Sequence, residues 1–229
     1  MKVIALVPLK RNSERLKGKN IKPFCGLPLY HIIFSTLQKC DFVEKIVANV
    51  DCEEIAQDLQ KHFSKVIIIK RPPHLLGEMV TMNTLIEYDI TKVESNHFLQ
   101  THCTNPLLTE NTLKEAISLY FNSLNSYDSL FSVSKIQSRL YREDNSPVNH
   151  NPTEMLRTQD MESIYQENSN LFIFSRQSFQ KAGNNRIGLA PRRYIQNKIE
   201  SVDIDYEEDF VLAELIYENR KSFGNYFPD

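Results

Sequence analysis

Two segments of this chain carry residues whose types and spacing suit chemistry on phosphate. The first runs from Val7 to Asn20 as Val-Pro-Leu-Lys-Arg-Asn-Ser-Glu-Arg-Leu-Lys-Gly-Lys-Asn. It gathers Lys10, Arg11, Arg15, Lys17 and Lys19, with Ser13 and one glycine, directly after the apolar run Val3–Val7. Open α/β sheets bind ligands at the carboxyl ends of their strands, where backbone N–H groups and cations can share the charge of a triphosphate. A solvated surface loop that happens to be basic has the same composition. The second segment is Ser201-Val202-Asp203-Ile204-Asp205-Tyr206-Glu207-Glu208-Asp209. Read as a short strand over 201–205, it turns Asp203 and Asp205 to one face, where two carboxylates repel unless a cation lies between them. Mg2+ is the candidate, because it takes one or two carboxylates and completes its shell with phosphate oxygens and water. Alternatively Asp205 or a neighbour caps the following helix and Asp203 is solvated.

Two further loops have polar groups in useful places. Leu99 to Leu108 reads as a strand end entering a polar turn with His102, Thr104 and Asn105, closed by Pro106. Such groups line a ligand crevice, although a lone histidine more often donates to a backbone carbonyl inside a core. Arg71-Pro72-Pro73 makes either a base-binding corner or a turn with an exposed arginine. The basic loop is not a P-loop, since Gly18-Lys19 is followed by Asn20, and the chain contains no G-x-G-x-x-G. No convincing Ser-His-Asp or Cys-His set stands out in the sequence.

The elements that must position these groups alternate in type. Apolar runs at 3–7, 45–50, 65–69 and 97–100 read as strands. Amphipathic stretches at 27–39, 53–62, 79–93 and 109–121 read as helices, with Asp51 and Thr109 placed to cap the second and fourth. This order predicts a three-layer α/β protein with a mostly parallel sheet. Strands at 129–133 and 170–175 and a helix over 207–219 follow. Between Lys135 and Glu167 periodicity fails and Pro147 and Pro152 interrupt, which marks a functional or partner-reaching segment.

Composition narrows the class. The 229 residues suffice for one core, and a net charge of −2 makes the basic loop local rather than part of a nucleic-acid footprint. No apolar run reaches the ~18 residues of a membrane span. Met1-Lys2 leads straight into a strand without a signal-peptide core, so a cytoplasmic protein is expected. Cys25, Cys40, Cys52 and Cys103 show no C-x-x-C spacing and read as reduced thiols, with no zinc site expected.

Taken in order, the segments resemble the acylneuraminate cytidylyltransferases, the family of the CMP-sialic acid synthetases. The family's basic loop corresponds to Pro8-Leu9-Lys10-Arg11-Asn12-Ser13-Glu14 and Gly18-Lys19-Asn20, and its Arg-Pro corner to Arg71-Pro72. Its Thr-Ser-Pro-Leu loop matches Thr104-Asn105-Pro106-Leu107, and its Ile-Asp-Ile-Asp segment matches Val202-Asp203-Ile204-Asp205. Its Asn-Gly strand has a counterpart in Asn168-Ser169-Asn170-Leu171-Phe172-Ile173. Each motif alone is weak; five in order, spanning nearly the whole chain, are strong.

The resemblance implies a Rossmann-like nucleotide-diphospho-sugar transferase fold and transfer of CMP from CTP to an acidic nine-carbon sugar, releasing pyrophosphate. Lys19, assisted by Lys10 and Arg15, would neutralise the phosphates, and Asp203 and Asp205 would hold Mg2+. Leu9, Lys10, Ser13, Lys19, Asn20, Arg71 and Thr81 would contact the nucleotide, Arg71 reading the cytosine edge. His102, Thr104, Asn105, Gln166 and Asn168 would face the sugar. The family also implies a homodimer, in which part of an inserted lobe at 135–167, near residues 139–159, reaches the partner's site; a lid on a monomer is the alternative.

The chain departs from the family at four places. Lys10 replaces an arginine and cannot grip phosphate bidentately. Glu14 replaces a lysine, and His102 a glutamine. Gln166 stands where an arginine commonly meets the sugar carboxylate, leaving Arg157, Arg192 or Arg193 as substitutes. Two other readings remain: a related enzyme using another sugar such as Kdo, and a non-catalytic nucleotide- or sugar-binding relative. Lys19-Asn20 counts against the first and the Asp203/Asp205 pair against the second.

Overall fold

The computed structural model describes residues 1–226 except 14, 78 and 155, so Glu14 of the basic loop lies outside the described residues. Strand β1 (Val3–Leu9) lies near the middle of the sheet and alternates two apolar faces. Val3, Ala5, Val7 and Leu9 pack with helices α1 (Leu29–Lys39), α2 (Glu53–His62) and α4 (Glu110–Asn122). Ile4 and Leu6 pack on the other side with α3 (Met82–Ile90) and α5 (Arg176–Lys181). Both faces of β1 are buried, which is why it reads as a continuous hydrophobic run rather than an alternation. The three expected layers follow from this sorting.

The remaining strands are β2 (Pro23–Phe24) and β3 (Leu27–Pro28), which pair as a small ribbon, then β4 (Val43–Val50), β5 (Val66–Lys70), β6 (His97–Gln100), β7 (Ser129–Ile136), β8 (Ile164–Ser175) and β9 (Pro191–Ile195). The main sheet has the order β5-β4-β1-β6-β8-β7-β9. Only β8 runs against its neighbours, being antiparallel to both β6 and β7, so the sheet is mostly parallel. The last helix, α6 (Glu207–Glu218), closes a third apolar cluster in which Phe210 and Ala213 meet Phe24, Leu29, Ile32 and Ile204. Among the described residues, no helix is long and apolar enough to cross a membrane.

Four expectations are corrected. Residues 201–205 form no strand; the segment is extended and irregular, held where the Ile204 N–H donates to the Thr104 carbonyl at 2.9 Å. Strand β9 was not expected, since Pro191-Arg192-Arg193 carries no alternation; it pairs parallel to β7 at the sheet edge. The 135–167 stretch is partly ordered, because Val133–Ile136 pairs with Ile164–Glu167. Its middle holds an isolated Tyr141–Pro147 bridge and a 3-10 turn at Thr158–Asp160. Asp51 does not cap α2: Cys52 takes that position without a side-chain bond, and Asp51 accepts the Arg11 N–H at 2.9 Å. Thr109 does cap α4, accepting from the Thr112 N–H at 3.2 Å.

Candidate functional site

The loops after β1, β5 and β6 meet the 201–205 segment around a cavity of about 440 Å3. Lys10, Ser13, Arg15, Lys19, Asn20, Arg71, His102, Thr104, Asp203 and Asp205 line it, as does Ser169 of β8. Gly18 is what lets Lys19 turn inward: it sits at φ 64°, left-handed backbone open to glycine, and starts the 3-10 turn Lys19–Ile21. Lys19 is 7% exposed. Its ammonium donates to the Ile204 carbonyl and lies 3.3 Å from Asp205 Oδ1. Arg15 Nη1 reaches Asp205 Oδ2 at 2.5 Å, so both oxygens of that carboxylate face cations. Asn20 clasps the loop by donating to the Lys10 carbonyl at 2.7 Å.

Burial pushes the Asp203 carboxyl above its usual range, and the Asp205 charge adds to the rise while the Thr104 hydroxyl opposes it. A long 3.4 Å bond from Asn105 Nδ2 reaches Asp203 Oδ1. The carboxylates of Asp203 and Asp205, side by side on one cavity wall, are hard oxygen donors of the type that Mg2+ takes. The expected cap role falls to Asp209, whose Oδ2 accepts from the Asp205 and Tyr206 N–H groups at 3.0 and 2.8 Å.

A second cavity of about 620 Å3 adjoins the first and shares Ser169, Asp203 and Asp205 with it. Gln166, Glu167 and Asn168 line it, together with Lys135 of β7 and Lys198. Ser169 stands in the left-handed region at φ 57°, where the family has glycine.

Several expected residues are placed elsewhere. Leu9 is a core residue whose carbonyl accepts from Arg71. Arg71 lines the cavity, but its Nε donates to Asn49 Oδ1 at 2.8 Å and its Nη2 to the Asn49 carbonyl at 3.0 Å. Thr81 lines neither cavity; it caps α3, accepting from the Thr84 N–H at 3.2 Å. Asn105 is buried behind Asp203. The Asn168 amide is engaged by Ser132, Ser134 and Gln196. Arg157 pairs with Asp160 at 2.6 Å, while Arg192 and Arg193 stack on Tyr127 and Tyr165, and none of the three lines either of these two cavities. Arg11 also turns away, to Glu54 at 2.7 Å.

Other groups that build the site had no signal in the chain. Glu200, 2% exposed, accepts from the Thr109 N–H at 3.1 Å and from Asn197 Nδ2 at 2.7 Å. Asn170 Nδ2 holds the Glu200 carbonyl at 2.7 Å. These bonds pin the approach to Asp203 against α4 and β8. Away from both cavities, His31, Asp58 and His62 bring ligand atoms within 4.8 Å of one another. That group is a closed hydrogen-bond network: Asp58 Oδ2 accepts from Tyr30 Oη and lies 2.5 Å from His31 Nε2, and His62 Nδ1 faces its own helix carbonyl at 2.9 Å.

The profile of the family described as Cytidylyltransferase matches residues 4–225. N-acylneuraminate cytidylyltransferase A of Danio rerio is 28% identical over 221 residues, covering 93% of this chain and 50% of that protein. A pseudaminic acid cytidylyltransferase of Campylobacter jejuni is 24% identical, covering 95% of this chain and 97% of that one. The chain thus spans about half the length of the first relative and nearly all of the second. Among solved structures, a CMP:2-keto-3-deoxy-manno-octonic acid synthetase complexed with CTP superposes with a TM-score of 0.68 at 11% identity, covering 96% of this chain and 100% of that one. A 4-diphosphocytidyl-2C-methyl-D-erythritol synthase from Anaerococcus prevotii gives 0.66 at 13% identity, with 95% and 96% covered. At those identities the likeness is one of fold.

Proposed function

The chain belongs to the cytidylyltransferase family, and from that premise we propose that it transfers CMP from CTP to an acidic nine-carbon sugar of the sialic, legionaminic or pseudaminic type, releasing pyrophosphate. The observation that carries this reading is the pair of joined cavities. One is lined by Lys10, Arg15 and Lys19 and suits a triphosphate; the other offers Lys135 and Lys198 to a carboxylate. Lys135 and Lys198 take the role expected of an arginine near Gln166.

In the reaction, a sugar hydroxyl attacks the α-phosphorus in line, the new O–P bond forms, the bond to the β-phosphate oxygen breaks, and the hydroxyl proton is lost to solvent. No protein nucleophile takes part. Lys19 sits deepest, and with Lys10 and Arg15 it offsets the charge that grows on the departing pyrophosphate. Arg15 and Lys19 also hold Asp205 in place. Asp203 and Asp205 are the residues that would hold Mg2+, which when bound supplies charge neutralisation at the phosphates.

We also propose a homodimer formed through the segment near residues 139–159, which exposes Tyr141, Val148 and Leu156. Light scattering after size exclusion tests this, and a species of 26.7 kDa would sink it. The activity is tested by Mg2+-dependent pyrophosphate release with CTP, UTP, GTP and ATP against eight- and nine-carbon acid sugars. Release with CTP and a nine-carbon acid is the expected result. Release only with an eight-carbon acid moves the substrate to the Kdo class, and silence without CTP binding overturns the enzymatic reading.

A further inference from the structure

Arg186 lies in the loop after α5 and belongs to none of the motifs described above. Its guanidinium carbon stands 3.6 Å from the centre of the Phe172 ring, and burial lowers its pKa to about 10. The Arg186 backbone N–H donates to Asn83 Oδ1 at 3.4 Å. Stacked in this way, the side chain directs Nη1 to the Oε1 of Gln100, a fully buried residue at the end of β6.

That bond settles the hydrogen positions beyond it. A guanidinium only donates, so the Gln100 atom facing it is the oxygen and not the amide nitrogen. Gln100 Nε2 therefore faces the other way, 3.0 Å from the Thr101 carbonyl and 3.0 Å from His102 Nε2. An amide NH2 group has two hydrogens and no acceptor, and these two acceptors use both. His102 Nε2 must then be bare, which places the proton of the neutral ring on Nδ1. Burial, followed by the charges of Arg186 and Lys19, pushes the imidazole pKa down to about 3, and so keeps the ring neutral. On β8, Glu167 adds a negative charge whose attraction is felt at Arg186. His102 lines the nucleotide cavity.

We propose that Arg186 and Gln100 are positioning residues that lock His102 as its Nδ1–H tautomer, making it a hydrogen-bond donor to an oxygen of the nucleotide bound in the cavity it lines. The ring then has no free basic nitrogen, and His102 takes no proton from the attacking hydroxyl. The assignment rests on the proposed CMP-transfer reading for its ligand, but the tautomer itself does not.

The test is nitrogen NMR on protein labelled with 15N-histidine, with His102→Gln identifying the signal. The expected spectrum at neutral pH shows a protonated Nδ1 and a bare Nε2. In Gln100→Glu the carboxylate can only accept, so the proton should move to Nε2 and the two signals should exchange character. In the same variant the CTP KM should rise at least tenfold while the sugar KM stays within twofold. Arg186→Met, which frees the Gln100 amide to turn over, should give a mixture of tautomers. A protonated Nε2 in the parent protein overturns the proposal, as does an unchanged CTP KM in Gln100→Glu. Absence of turnover with every sugar would count against the proposed function, while the spectrum of the free protein would still decide the tautomer.

Discussion

The two walls of the nucleotide cavity are built from similar residues put to different ends. On the wall made by β4, β5 and α3, Arg71 donates to Asn49, and Asn49 Nδ2 donates to Asp89 Oδ1 at 2.5 Å. Asn49 and Asp89 are both fully buried, and the cation is largely spent on the fold. On the facing wall, Arg15 and Lys19 meet Asp205, whose carboxylate stays partly open to the cavity, and Asn105 reaches Asp203 only at 3.4 Å. A charge closed into backbone and amide partners braces a strand end, whereas a charge paired across a cavity can be re-paired by an incoming phosphate. Residue type alone does not separate the two cases. What separates them is whether the partners are sealed in the interior.

This contrast can be broken by experiment. The largest effect belongs to the open wall: Asp205→Ala should lower turnover by about 10²–10³-fold, in line with loss of one electrostatic group at a reacting phosphate. Its melting temperature should stay within a few degrees, because a cavity-facing carboxylate adds little to the core. Turnover equal to the parent would remove Asp205 from the reaction.

The closed wall should answer in stability. Burial raises the Asp89 carboxyl to about 7, far above its ordinary value, so the folded state binds a proton that the unfolded chain has already lost. Stability from this group is complete below the unfolded value and falls as pH rises through 7. The loss is on the order of 3 kcal/mol between pH 4 and 8. Denaturant melts should show this decline in the parent and a flatter profile in Asp89→Asn. A rise in stability across the same range would mean that Asp89 is ionised throughout.

Two smaller changes sharpen the boundary between fold and site. Thr81→Ala removes a helix cap and should cost about 1 kcal/mol of stability. It should leave the CTP KM unchanged, since Thr81 lines neither cavity; a several-fold rise would restore it to the nucleotide site. Ser169→Gly should relieve left-handed strain at φ 57° and raise stability by up to about 1 kcal/mol, visible as a slightly higher melting temperature. A lower melting temperature would mean that the seryl side chain contributes more than the strain costs.

Much of this molecule was legible as a string of residues, and the reason is locality. The two-sided apolar run of β1, the amphipathic faces of α1, α2 and α4, and the Thr109 cap are each decided by neighbours a few positions away. The same holds for Gly18-Lys19 and for the Asp203/Asp205 pair, whose alternation survives in an extended segment that joins no sheet. Tertiary structure alone decided that Arg71 braces β4 while Arg15 faces the cavity, and that β9 closes the sheet from a polar segment. It also decided that Lys135 and Lys198, rather than Arg157, Arg192 or Arg193, line the second cavity. Arg186, Gln100 and Glu200 belong with these. They are single polar residues without period or motif, and leaving such a group buried and unpaired is costly. Which partner meets that cost depends on which distant strand the folded chain brings within about 3 Å.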